Sequence, residues 1–314
     1  MKSKPAVSLG KRQNFLGLEK EFSSYETAKI AVLPIPYEHT VSYGGGTGLG
    51  PKALIEASHY VEFYDEELGV ELCNSVGIAT LPPVPLGKAV HEKAVAKMYE
   101  ATKRLLDDGK FVAALGGEHT ISQAPIKAHL EKYPDLSVMH FDAHSDLRDS
   151  YGGTKFSHAS VMARVCEFLD PTRLVQAGIR AQCKEEAEFI REKGIHTFYA
   201  HQIRAMENWI RQVLSHLTDQ VYVSFDVDAF DPPLMPSTGT PEPNGLLWPE
   251  TMKLLRLIGE QKNIVGFDVV ELAPKKGVPH PDYTAAKLTY KLMNCAFIKQ
   301  EGWTTVKVTK RVTL

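Results

Sequence analysis

The chain has 314 residues, 43% of them hydrophobic and 24% charged, with a formal net charge of −2. That length holds one large α/β domain or two small ones, and the composition excludes a disordered or fibrous chain. A charge so near zero offers no basic surface for nucleic acid or an anionic membrane, and no run is long and apolar enough to span a bilayer.

The four cysteines (Cys73, Cys166, Cys183, Cys295) are scattered without paired spacing and read as reduced thiols of a cytoplasmic protein. MKSKPAVSLGKRQNFLG at the N-terminus has no apolar stretch of the signal-peptide kind. Residues 1–24 are polar and irregular. They read as a loose tail or as an arm on another subunit, before a single domain over residues 25–314.

KIAVLPIP, residues 29–36, is the first expected strand, apolar on both faces and closed by prolines. A glycine-rich turn and a helix follow in SYGGGTGLGPKALIEAS, residues 42–58, where Pro51 suits a first helical turn. No phosphate-binding glycine frame follows a strand there, so a tight turn at a site rim is the reading preferred. Residues 65–88 look loop-rich. Apolar residues Val90, Ala94, Met98, Ala101 and Leu105 then stripe a helix over residues 90–108. The pattern next predicts a strand at 111–116, a helix at 122–133, a strand at 136–142, a helix at 157–168 and a strand at 174–178. A helix, a strand and a helix fill 183–217. A strand at 221–225, a helix at 249–259, a strand at 264–270, a helix at 283–297 and a short strand at 304–308 complete the chain.

Strands alternating with helices call for an α/β fold with a mostly parallel central sheet and helices on both faces. In such folds ligands gather outside the carboxyl ends of the strands. Three clusters sit there: GGEH (116–119), FDAHSD (141–146) and SFDVD (224–228). In extended chain, side chains two apart share a face, so Asp142, His144 and Asp146 point together, as do Asp226 and Asp228. With His119 these make four aspartates and two histidines and no cysteine, a set that suits two divalent cations of the manganese type better than one structural zinc. Without cations, such carboxylates would repel one another and be partly desolvated.

The segments GGEHT, FDAHSDLRD and SFDVDAFDP together resemble the ureohydrolases, the family of arginase and agmatinase. The resemblance runs from the first strand to the last long helix. It implies the three-layer α/β/α arginase-like fold and two manganese ions per subunit, with cobalt, nickel or iron as alternatives. By motif position His119 would bind one ion and His144 the other. Asp142 and Asp226 would bridge, Asp146 would complete the first site and Asp228 the second. The implied chemistry is attack of ionised water on a guanidino carbon, with Asp146 shuttling the proton. Glu271, in VVELAP, would receive the guanidinium, and His158, in KFSHAS, would relay protons near the amine product. Asp231, Glu118 and His140 read as supporting groups.

LRDSYGGTKFSHAS, residues 147–160, is more similar to the agmatinases than to arginases, which implies agmatine cleaved to putrescine and urea, a step of polyamine synthesis. Asn244 and Ser237 replace common glycines. Arg148 could instead select an acidic tail, although a salt bridge with Asp149 or another carboxylate is the preferred reading. Guanidinobutyrase, guanidine hydrolase, arginase and formimidoylglutamase activities stay open within the family. Outside it stand a single-zinc deacetylase, a non-catalytic metal-binding relative and a dinuclear phosphoesterase. The resemblance also suggests a homotrimer or homohexamer.

Overall fold

A computed structural model describes residues 7–304. Eight parallel strands form one sheet: β1 (Ile30–Ile35), β2 (Ile78–Thr80), β3 (Phe111–Gly116), β4 (Leu136–Phe141), β5 (Leu174–Ile179), β6 (His196–Tyr199), β7 (Gln220–Asp226) and β8 (Asn263–Val270). Helices α1 (Lys20–Ser23), α2 (Gly50–Ser58), α3 (Leu72–Val76), α4 (His91–Asp107), α5 (Gln123–Lys132) and α6 (Val161–Val165) come first. They are followed by α7 (Lys184–Lys193), α8 (Ala200–Ile203), α9 (Trp209–His216), α10 (Trp248–Gln261) and α11 (His280–Glu301).

The strands are buried on both faces, which is why their sequences are near-continuous apolar runs rather than alternating ones. One face packs Val32, Leu115, Phe141 and Phe225 against α2, α9, α10 and α11. The other packs Ala31, Val112, Val138 and Tyr222 against α4, α5, α6 and α7. The result is the expected three layers. Helix α11 is buried nearly all round, because it lies against α2, α10 and β8 at once.

Strand order is β2-β1-β3-β8-β7-β4-β5-β6. The chain leaves β3 and crosses to β4, and the two places between are filled only later by β7 and β8. Connections at the carboxyl ends of these central strands therefore diverge and leave a crevice. All three acidic motifs and Glu271 open onto that edge.

Several local expectations change. β2 and α3 lie inside the stretch read as loop. The helix expected over 157–168 is helical only over Val161–Val165, after a tight turn at His158–Ser160. Its start is set by the Asp146 carbonyl, which accepts the Met162 and Ala163 amides at 2.9 and 3.2 Å. Residues 7–24, expected as a tail or an arm to another subunit, pack on their own chain. Phe15, Leu16 and Leu18 are buried, and the Phe15 and Leu16 amides donate to Thr80 Oγ1 and Ser58 Oγ at 2.8 Å each. The strand expected at 304–308 falls outside the described residues beyond Thr304, which is in no strand. Among the described residues no helix is long and apolar enough to cross a membrane.

Candidate metal centre

Each motif reaches the crevice for a local reason. A Cβ on Gly117 would lie 1.9 Å from the Tyr37 carbonyl oxygen, so only glycine lets the segment after β1 pass over the end of β3. The Gly117 and Glu118 amides then bond to Ile35 and Tyr37 carbonyls at 3.0 and 2.9 Å. The next turn delivers His119. Asp226 ends β7 and accepts the Asp228 amide at 2.8 Å, which holds both carboxylates on one short turn. Asp146 and Glu271 have φ of 54° and 64°, left-handed values that cost a non-glycine residue about 1–3 kcal/mol and that cluster at functional sites.

The six motif residues meet. His119 Nδ1 lies 3.1 Å from Asp142 Oδ2, 3.1 Å from Asp146 Oδ2 and 3.2 Å from Asp226 Oδ2. His144 Nδ1 lies 3.0 Å from Asp228 Oδ2 and 3.5 Å from Asp142 Oδ1. Asp142 thus turns one oxygen to each histidine. Asp226 reaches only the His119 half, since its other oxygen holds the Asp228 amide.

Hydrogen-bond logic shows what His119 offers. The Ser224 hydroxyl donates to Asp268 Oδ1 at 2.9 Å, so at 3.0 Å it accepts from His119 Nε2–H. Asp268 is further held by the Tyr222 hydroxyl at 2.8 Å. Nδ1 is left buried, without a hydrogen bond, aimed at three carboxylates. That is the state of a histidine built to ligate a cation. His140 differs. Its Nε2 donates to Asp142 Oδ2 at 2.8 Å and its Nδ1 accepts from Gln176 at 3.0 Å, so it supports a carboxylate and has no free lone pair.

The electrostatics agree with a site for cations. Burial, then Asp228 and Asp142, push Asp226 well above the carboxylate range. Burial and Asp142 push Asp146 up to about 7. Burial alone would lower His119, but Asp142, Asp146 and Asp226 outweigh it and hold the imidazolium well above its ordinary value. His144 behaves alike, raised to about 12 by Asp228 and Asp142 against burial. Protons thus stand in for the positive charge that this carboxylate set requires. Ligand atoms of His119, His140, Asp142 and Asp146 lie within 4.8 Å of one another, as do those of Asp142, His144 and Asp228.

A cleft of about 460 Å³ opens above the cluster. Glu271 lines it, with one oxygen accepting the His119 amide at 2.6 Å and burial raising its pKa well above the usual range. His158 lines it too. Its Nδ1 and Nε2 are held by Thr40 Oγ1 at 3.0 Å and Ser42 Oγ at 2.8 Å, and burial, with His119 and His144, lowers it to about 4. Glu118 anchors that rim by accepting the His39 and Thr40 amides at 2.6 Å each. The glycine-rich turn cradles no phosphate. The Gly46 and Gly48 amides are spent on the Glu38 carboxylate, at 2.7 and 2.8 Å. Asp231 forms a turn, accepting the Gly245 amide at 2.7 Å. Arg148 lies over the Tyr151 ring and 3.9 Å from Glu186. Asp149 is engaged instead by Arg164 and Lys155.

Ser224, Asp268, Gln176, Thr40 and Arg180 were not singled out in the sequence. Asp268 had a signal, a lone carboxylate inside the apolar run of β8. The others had none.

The profile of the arginase family matches residues 28–295. The chain belongs to the arginase family. It is 41% identical over 283 residues to an N(1)-aminopropylagmatine ureohydrolase of Synechocystis sp., covering 88% of this chain and 92% of that one. It is 35% identical to an agmatinase of Bacillus anthracis, covering 81% and 87%. A solved agmatine ureohydrolase of Thermoplasma volcanium superposes with a TM-score of 0.82 at 30% identity, covering 94% of this chain and 97% of that one. The motif resemblance and the expected fold are both borne out.

Proposed function

We propose that this member of the arginase family hydrolyses the guanidino group of a cationic amine to urea and the free amine, with two divalent cations in the cluster. The observation that carries this is the buried His119 Nδ1, which makes no hydrogen bond and faces three carboxylate oxygens beneath a cleft lined by Glu271. Agmatine, giving putrescine, is one substrate the relatives suggest, and N(1)-aminopropylagmatine is the other.

His119, Asp142, Asp146 and Asp226 would hold one cation, and Asp142, His144 and Asp228 the other. His140 is left out because both its nitrogens are occupied. Manganese is the proposed ion at both positions. When bound, such a pair supplies the Lewis acidity that ionises water near neutral pH. Glu271 matches the planar guanidinium with paired acceptors and holds it over the cluster. Asp146, which lies beside His119 and lines the cleft, is placed to carry the proton to the leaving nitrogen. His158, neutral at the rim, exchanges a proton with the departing amine by way of Ser42.

Arginine and guanidinobutyrate are disfavoured because the arginines of the cleft are engaged by protein groups. The unpaired thiols fit a reducing, cytoplasmic setting. A homotrimer or homohexamer is proposed from the family resemblance, and light scattering reads it. The deciding experiment is a urea-release panel on manganese-loaded protein with agmatine, its aminopropyl derivative, arginine and guanidinobutyrate. Urea from the first two supports the reading. No urea from any guanidino compound would leave a non-catalytic relative, and release from guanidinobutyrate alone would remove agmatine.

A further inference from the structure

Beyond the cluster and Glu271, the cleft is lined by two arginines and two further glutamates: Arg148, Arg180, Glu186 and Glu242. Three of the four are committed within the protein. Arg180 donates to the carbonyls of Gly178 at 2.9 Å, Asp228 at 2.7 Å and Glu242 at 2.9 Å, among others. Arg148 is stacked on Tyr151 beside Glu186. Glu186 accepts the Leu147 and Cys183 amides at 2.9 and 2.6 Å.

Glu242 is different. Its main chain is fixed: Pro241 and Pro243 flank it, and one guanidinium nitrogen of Arg180 bonds both its carbonyl and that of Asp228. The loop is therefore tied to the turn that carries the cluster. Yet the carboxylate of Glu242, a half-buried residue, makes no hydrogen bond and no ion pair within the described residues; only its carbonyl is used. A carboxylate carried into a cleft on a fixed main chain and left without a protein partner is matched by a cationic ligand group.

We propose that Glu242 determines specificity by receiving the ammonium that a butyl chain separates from the guanidino group. In agmatine this is the terminal ammonium, and in the aminopropyl derivative it is the secondary ammonium at the same place. The assignment rests on the ureohydrolase reading. It explains how one cleft could serve both substrates and refuse a carboxylate tail.

The test compares agmatine with butylguanidine, which has a neutral tail. Glu242→Gln should raise KM for agmatine about tenfold to a hundredfold, the scale of one charge-assisted hydrogen bond, with kcat little changed. Butylguanidine should be unaffected, and Glu242→Asp should recover part of the loss. A merely structural role would move both compounds together, so an unchanged ratio in the folded, metal-loaded variant overturns the proposal. Calorimetry of putrescine against butylamine repeats the comparison without turnover. Wild-type protein should prefer the diamine, and equal affinities overturn the proposal even where a variant fails to fold. A diamine preference lost in Glu242→Gln, together with no urea from wild type, would sink the hydrolase reading and keep the cation subsite.

Discussion

His119 shows how a side chain acquires a role from groups it does not share a motif with. Its ring is oriented by Ser224, and Ser224 by Asp268, so the direction of one free lone pair depends on two residues from β7 and β8. Ser224→Ala should weaken metal binding about tenfold to a hundredfold by releasing that orientation, read by competition with a chromophoric chelator. Unchanged affinity would show that the ring needs no such support. Asp228→Ala acts directly. It removes the carboxylate nearest His144, so metal analysis should show the loss of one cation per chain and urea release should fall to background, with circular dichroism unchanged. Full activity in that variant would contradict the two-metal account. Five of the six residues proposed to touch the cations were legible because they repeat at two-residue spacing beside strand ends, and His119 by its place in GGEH at the end of another. Ser224 was not, since a lone serine within an apolar strand carries no pattern.

At the scale of elements, the decisive contacts are between backbones. Gly117, the first residue after β3, serves a close approach: the Tyr37 carbonyl sits where a side chain would begin. Gly117→Ala should therefore destabilise the fold by about 1–3 kcal/mol, as overpacking does. It should also lower metal occupancy, because His119 lies two residues on. Thermal melts with and without manganese separate the two effects, and a wild-type melting curve with full occupancy would refute the crowding argument. The same scale explains the shortened α6. A local pattern favoured a longer helix, but its start is set by the Asp146 carbonyl and its approach by the hold of Thr40 on His158, neither of which is near in sequence. β2 was missed because three residues give too short a run to show a period.

Across the whole molecule, one field governs the centre. Three central strands bring four carboxylates and two histidines into a buried volume, and without cations His119, His144 and Asp226 are all shifted toward their protonated forms. A cation must displace those protons. Metal affinity should therefore rise with pH, with a slope of about one in log K per displaced proton. The slope should be steepest below pH 7, because Asp146, at about 7, gives up its own proton above that. Chelator competition between pH 6 and 8 checks this, and a flat profile would mean that the cluster is already proton-free. The sequence by itself determined the layered parallel fold and the family and pointed to six candidate ligands, because burial on both faces, strand–helix alternation and two-residue spacing are all local signals. Tertiary structure alone decided that β7 and β8 fill the gap between β3 and β4, and with it which polar residues stand behind the ligands and which carboxylate in the cleft is left free. Strand order depends on packing between segments far apart in the chain, and no local period encodes it.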